Sequence, residues 1–379
     1  MIKVMLIIDR LWVGGTEQQV VELAKRIDRG VFDVSICILS KSIIFLVREL
    51  ERYGVRYYLI DQKGKIDVSC IIQLYKLLKK ERPQVVHTFL FASDCYGRIA
   101  AAMARIPVII SSQRNVDVWK RPYHILTDRI LSLFTDRFIV NANAVRKFLC
   151  ARENVPSFKI SVIYNGVDLE KCRPLGKNKE VLKTLDIPED SKIIGMIAHF
   201  SSRKDHLMFL DVARELLIKV KNIYFILIGD GELKDKIKKR ALGLGLSFHT
   251  KFLSSRGYLE GYDVADVLSI FDVSVLFSHY EGCSNVILES MASAKPVVAN
   301  NVGGNAELVR NGETGFILAS KDVGGAVEKI YYLLQEPAIA RAIGLKARAH
   351  VEENFSFEIM VKQTEEIYID LSKKKSVMQ

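Results

Sequence analysis

Between Val273 and Val309 the sequence writes one local plan twice. An apolar run, Val273–Phe277, leads through a polar turn holding Glu281 and Gly282 into a helix-like run ending at Ala294. A second run, Pro296–Ala299, leads through Val302-Gly303-Gly304 into a helix-like Asn305–Val309. Short β-branched apolar runs bounded by turn residues read as strands buried on both faces, and such strands belong to parallel sheets covered by helices. Strand, glycine-bearing turn and helix in immediate succession therefore commit the chain to βα units. The turns of such units gather at the carboxyl edge of the sheet, the edge where ligands bind. An acid sits at or near each helix start, Glu281 and Glu307, and Glu289 lies about two turns into the first helix.

The same alternation runs through the whole sequence. Strands are expected at Val4–Ile8, Val34–Leu39, Arg56–Ile60, Val85–Thr88, Val108–Ser111 and Arg137–Val140, with helices at Gln18–Arg26, Ile43–Tyr53, Cys70–Glu81, Cys95–Ala104 and Ala144–Ala151. The pattern breaks at Tyr164-Asn165-Gly166, a turn signal, and a polar, proline-containing stretch to Ser191 reads as a linker. A second series follows: strands at Ile193–Ala198 and Tyr224–Ile228, helices at Leu207–Lys219, Leu233–Ala241 and Val264–Phe271, then the two units above and a last helix, Phe357–Leu371. With 379 residues the chain exceeds one ordinary core. The expectation is α/β: two doubly wound, Rossmann-like domains, residues 1–165 and 166–355, facing a central cleft, with the helix at 356–379 packing back on the first.

Composition narrows the class. No run of 18 or more apolar residues occurs, and the first ten residues read as a strand rather than a leader peptide. Six cysteines without a C-x-x-C pair fit reduced thiols in a cytoplasmic protein. The net charge of +11 lies wholly in residues 1–165, which hold 26 Lys+Arg against 15 Asp+Glu. That asymmetry suggests an anionic partner for the first half. No nucleic-acid motif accompanies it, so an anionic membrane face or phosphate-bearing lipid acceptor fits better, with Lys76, Lys79, Lys80 and Arg82 as contacts.

Two carboxylates, Glu281 and Glu289, beside a helix start whose free N–H groups favour an anion suit the hydroxyls and phosphates of a nucleotide sugar. Further blocks carry a resemblance: Gly14-Gly15-Thr16-Glu17, Val85-Val86-His87, Val162–Asp168, Lys204-Asp205-His206, Ile228-Gly229-Asp230-Gly231, Glu281–Ala292, Pro296–Val298, Gly303-Gly304, Glu307 and Asn311–Gly315. Over nearly its whole length the chain resembles the large retaining GT-B glycosyltransferase family, glycosyltransferase family four, of bacterial polysaccharide, lipopolysaccharide and phosphatidylinositol mannosyl transferases.

The resemblance implies roles. Glu289 would accept from the ribose hydroxyls, and Glu281 would orient the transferred sugar. Lys204 would bind the diphosphate, with Arg203 as a second cation. Gly282 and the backbone N–H groups of Ser284, Asn285 and Val286 would face the sugar or diphosphate, as would Gly229, Gly231 and His199. Gly14 and Gly15 would admit the diphosphate and acceptor beside Glu17. His199 stands where the family often has arginine. Arg114 or Gln113 stands where it often has a sugar-contacting histidine, so Arg114 could bind a phosphate or an acidic group. His87 is either a sugar ligand with a catalytic role or a satisfied structural histidine. No Asp-x-Asp pair occurs, so a bridging metal is not expected, and no cofactor beyond the nucleotide-sugar co-substrate, UDP ahead of GDP.

The expected reaction is transfer of that sugar, with retention, to a lipid-linked or oligosaccharide acceptor in surface-polysaccharide synthesis, by a cytoplasmic protein peripheral to the membrane's inner face. The alternatives are a non-catalytic module that binds nucleotide sugar and a sugar-nucleotide epimerase.

Overall fold

The computed structural model describes residues 1–12, 14–41, 45–64, 66–254 and 261–377. The chain divides into two compact units, Met1–Gly166 with Phe357–Gln379, and Val167–Ser356. Each crossing lies one residue beyond the expected boundary.

The first unit holds seven strands: β1 (Ile2–Ile8), β2 (Phe32–Ile38), β3 (Arg56–Leu59), β4 (Val85–Phe89), β5 (Val108–Gln113), β6 (Arg137–Val140) and β7 (Ile160–Val162). They lie in the order β3-β2-β1-β4-β5-β6-β7, every pair parallel. β1 shows why its apolar run is unbroken. Val4, Leu6 and Ile8 enter one core cluster while Met5 and Ile7 enter another on the opposite face. The helix Phe357–Val377 completes the first cluster with Phe357, Met360, Val361, Tyr368 and Leu371. Gly166 is fixed where the chain leaves the unit, exchanging two hydrogen bonds of 2.8 and 2.9 Å with the Gln19 amide. A Cβ there would lie 2.7 Å from the Phe357 Cα.

The second unit holds β8 (Lys192–Ile197), β9 (Ile223–Ile228), β10 (Thr250–Leu253), β11 (Val273–Leu276), β12 (Val297–Asn300) and β13 (Gly315–Leu318). Their order is β10-β9-β8-β11-β12-β13, again all parallel. In both sheets the chain winds outward on one side of the first strand and then continues on the other. The direction of winding reverses between β1 and β4 and between β8 and β11. At such reversals the loops diverge and leave a crevice at the carboxyl edge.

Several elements were not foreseen. β7, β10 and β13 are three- or four-residue edge or near-edge strands, too short to show periodicity. The stretch read as a linker contains the helix Lys179–Thr184, and two long helices, Val323–Gln335 and Pro337–Asn354, follow β13. The helix expected from Ile43 begins at Val47; Ile43 and Ile44 lie outside the described residues. The helix Pro122–Ser132 buries Asp128 and exposes Tyr123, Leu126 and Ile130, the reverse of the usual pattern. Among the described residues no helix is long and apolar enough to cross a membrane.

Candidate active site

The second sheet's reversal point gathers the charged residues. The loop after β8 carries Arg203 and Lys204, and the loop after β11 carries Glu281. Backbone hydrogen bonds stitch the two loops: Asp205 N–H donates to the Phe277 carbonyl at 2.9 Å, and His279 N–H to the Arg203 carbonyl at 2.9 Å. Lys204 thus lies opposite Ser278 in an antiparallel bridge, and its ammonium donates to Glu281 Oε1 in an ion pair. The Ser278 hydroxyl donates to the same oxygen at 2.6 Å.

Glu281 is pinned from its backbone as well. Asn300, at the end of β12, accepts from Ser278 N–H at 3.0 Å, and Gly304 N–H donates to the Gly282 carbonyl at 2.9 Å. Gly303 has φ +54°, and a Cβ there would run into the Glu281 carbonyl. Only glycine tolerates both conditions. The Gly303-Gly304 turn therefore buttresses the carboxylate. Sequence reasoning missed Ser278 and Asn300; both sit at strand ends beside Glu281, but nothing in their spacing distinguishes them from ordinary turn residues.

Burial opposes ionisation of Glu281, yet the Lys204 ammonium, with help from Ser278 and Arg203, outweighs it and holds the acid below its ordinary range. Lys204 is lowered chiefly by burial; the Glu281 carboxylate opposes this but does not outweigh it, and the smaller effect of the neighbouring Arg203 charge adds to the lowering. Arg203 acts on both partners, and its Nε is buried without a hydrogen-bond partner. Arg203 thus adds a second cation beside the Lys204–Glu281 pair, an arrangement that suits an anion.

Glu289 behaves differently. It lies in the helix Asn285–Ala292, whose inner face is Ile287, Leu288 and Met291 and whose Ser290 hydroxyl meets the Ser274 hydroxyl at 2.7 Å. Ser284 caps this helix, accepting from Ile287 N–H at 3.4 Å, and Asn285 and Val286 form its first turn. Among the described residues the half-buried Glu289 carboxylate has no hydrogen bond or ion pair, and burial alone pushes it up to about 7. A half-open carboxylate whose pKa burial raises and no opposite charge offsets is a group able to accept a ligand's donors.

The other expected residues fall in two places. Gly229 and Gly231 follow β9, where Cβ atoms would strike the Ala198 and Phe200 carbonyls, so packing against the loop after β8 already demands glycine. The exposed His199 lies beside Gly231. In the first unit, Gly14 caps the helix Gly15–Arg26 and the buried Glu17 carboxylate folds over it, 3.7 Å from Arg10 Nε. Arg114 donates to Asn165 at 2.7 Å. His87 is 1% exposed, with Nδ1 2.6 Å from the Tyr368 hydroxyl and Nε2 2.7 Å from the Ser112 hydroxyl. Burial, then the Arg114 charge, lowers its pKa well below the ordinary value. Of the two readings open in the sequence, this geometry is that of the satisfied structural histidine: neither ring nitrogen is left for a substrate.

Comparison with known proteins agrees with this architecture. The profile of glycosyl transferases group 1 matches residues 177–350, and that of glycosyltransferase family 4 matches residues 13–171. The chain is 29% identical to the UDP-Gal:alpha-D-GlcNAc-diphosphoundecaprenol alpha-1,3-galactosyltransferase of Escherichia coli over 80% of either chain. It is 25% identical to the capsular polysaccharide biosynthesis glycosyltransferase CapM of Staphylococcus aureus, over 85% of this chain and 87% of that one. Among solved structures, a glycosyltransferase from Rickettsia africae superposes with a TM-score of 0.84 at 22% identity, covering 98% of each chain. Anabaena Alr3699/HepE in complex with UDP-glucose gives 0.84 at 19% identity, over 98% of this chain and 100% of that one. Two parallel-sheet units of this kind make the GT-B fold, and with both family profiles matched in tandem the chain belongs to the GT-B glycosyltransferases of family four.

Proposed function

We propose that the protein transfers a sugar from a UDP-sugar to a lipid-linked saccharide acceptor during cell-surface polysaccharide synthesis, with retention at the anomeric carbon and without a metal ion. The observation that carries this reading is the Glu289 carboxylate, unpartnered among the described residues, in the same strand–loop–helix unit as Glu281, whose partner Lys204 and the unbonded Arg203 Nε come from the loop after β8 stitched to it. A ribose supplies two hydroxyl donors for one acid, a diphosphate supplies the anion for the two cations, and the transferred sugar supplies hydroxyls for Glu281. The names of the relatives from Escherichia coli and Staphylococcus aureus favour a UDP-sugar and a polysaccharide product.

In this scheme the anomeric C1–O bond to the diphosphate breaks while the acceptor oxygen bonds to C1 from the same face. The acceptor proton passes to a donor phosphate oxygen, and UDP leaves. Negative charge grows on the leaving oxygen, where Lys204 and Arg203 are already fixed by the loop stitching. Preorganised charge of this kind lowers the barrier without reorganisation during the step. Glu281, held ionised, orients the sugar and sustains the positive charge that develops at C1; it has no proton to carry. The basic first unit faces an anionic membrane surface that presents the acceptor.

The test is a thermal-shift panel of UDP, GDP, ADP and their hexose conjugates, followed by transfer to an N-acetylglucosaminyl-diphospho-lipid. A nucleotide that binds only the folded state raises its melting temperature by mass action. The reading predicts stabilisation by UDP and UDP-sugar and product with the donor's anomeric configuration. Stabilisation by GDP alone, an inverted product, or loss of transfer on adding a chelator contradicts it.

A further inference from the structure

We infer that the helix Pro122–Ser132 and the turn after it form an interfacial surface by which the protein lies on an anionic membrane leaflet; the inference rests on the membrane-presented acceptor proposed above. The helix is turned inside out. Asp128 points inward, bonded to Arg98 at 2.6 Å and Lys120 at 2.8 Å, and those contacts fix its rotation. As a consequence Tyr123, Leu126 and Ile130 line up on the outer face within about 60° of the helix circumference, and Leu133 and Phe134 follow in the turn after it, each of the five more than half exposed. Contiguous exposed apolar area of this kind marks an interaction site rather than ordinary surface.

Three observations commit the face to a membrane. First, the first unit carries the whole net charge of +11. Second, at the Leu133–Phe134 end the stripe continues into a groove of about 420 Å³ where apolar Ile106 and Phe158 meet Arg137, Lys159, Lys374 and Lys375; its acid, Asp136, is paired with Lys375 at 2.7 Å, and Arg137 and Lys159 also donate to backbone carbonyls, which leaves a net positive rim. Cations around an apolar trough suit an acyl chain beneath a phosphate headgroup. Third, Trp119 and Tyr123, both exposed, stand at the other end of the stripe, and such amphipathic rings favour the headgroup level. The helix Val68–Glu81, where Lys76, Lys79 and Lys80 were expected to make the contact, exposes only Val68 and Ile72 as large apolar groups. Because Pro122–Ser132 joins β5 to β6, it starts at the carboxyl edge of the first sheet and runs to the amino edge. A helix lying flat in the headgroup region would hold that carboxyl edge at the depth of a lipid-linked diphosphate.

The experiment is co-sedimentation of the full chain with vesicles of equal parts phosphatidylglycerol and phosphatidylcholine, alongside sedimentation equilibrium without vesicles. The wild type should bind, more weakly as salt rises. Leu126→Glu with Ile130→Glu, both at exposed positions, should weaken binding on the order of tenfold or more while UDP binding is unchanged. Unchanged vesicle binding by that variant, or loss only on Lys76→Ala with Lys79→Ala and Lys80→Ala, overturns the surface. So does a wild-type dimer that the variant converts to monomer. A wild type that transfers sugar yet ignores vesicles overturns docking and leaves the proposed reaction standing. A wild type that binds vesicles but transfers no sugar does the reverse.

Discussion

The two units treat buried charge in opposite ways. In the first, Arg98, Lys120, Asp94, Asp128 and Glu153 are all nearly inaccessible, and each has an opposite charge within 2.8 Å. His87 is likewise fully engaged. In the second, the reversal point of the sheet keeps, among the described residues, Glu289 unpartnered and the Arg203 Nε without an acceptor. The first arrangement gives each of these charged groups an opposite charge, although Arg98 Nη1, Asp128 Oδ2 and Glu153 Oε2 keep no hydrogen bond among the described residues, and it sets geometry, including the rotation of Pro122–Ser132. The second is complete only with something added. What separates Glu289 from the structural acids is the lack of any opposite charge beside it, rather than burial or a single unbonded atom.

The sharpest way to break the comparison is to make the first network incomplete. Arg98→Met leaves three buried carboxylates against one lysine and should destabilise the protein by about 3–5 kcal/mol, read by denaturant unfolding. A loss under 1 kcal/mol would show that the network is not what holds this region. Next is the Lys204–Glu281 pair. Lys204→Ala should lower turnover by about 10²–10³-fold, the scale of losing one preorganised group at a developing charge. Glu281→Ala should lower turnover more than nucleotide affinity, and equal losses in affinity alone would remove it from the sugar. A smaller effect is expected from Gly303→Ala, which forces a side chain into the left-handed region against the Glu281 carbonyl. It should cost about 1–3 kcal/mol and reduce turnover, since the turn sets Glu281.

Much of this was legible in the sequence because it rests on local pattern. The repeated strand–turn–helix plan announced parallel sheets, and Lys204, Glu281 and Glu289 stood out by spacing and resemblance. What was not legible depends on long-range contact. Gly229, Gly231 and Gly303 read as ligand or turn glycines, yet each meets another loop's carbonyl, a contact no local pattern records. His87 could be read either way until its two partners, 25 and 281 residues away, were located. Pro122–Ser132 escaped detection because its acid faces inward and its apolar stripe outward, opposite to the rule by which amphipathic helices are found.

The smallest effect concerns Glu289 and pH. Its folded pKa is raised from an ordinary 4.5 to about 7, so its contribution is fully present below pH 4.5 and is lost as pH rises through 7. The full shift is worth about 3 kcal/mol, which partial solvent exposure reduces, so Glu289→Gln should make the ligand-free protein more stable above pH 7 by about 1–2 kcal/mol and leave it unchanged near pH 4.5.

The same residue gives the most direct test that an unpartnered carboxylate is the mark of the site: calorimetric titration of UDP into wild type and Glu289→Gln from pH 5.5 to 8.5. The diphosphate titrates in both, so the informative quantity is the ratio of affinities. If Glu289 accepts the ribose hydroxyls as a carboxylate, the wild type binds more tightly than the variant, and the ratio grows as pH passes 7 and then levels. Equal affinities at every pH, or a ratio that falls as pH rises, would contradict the account.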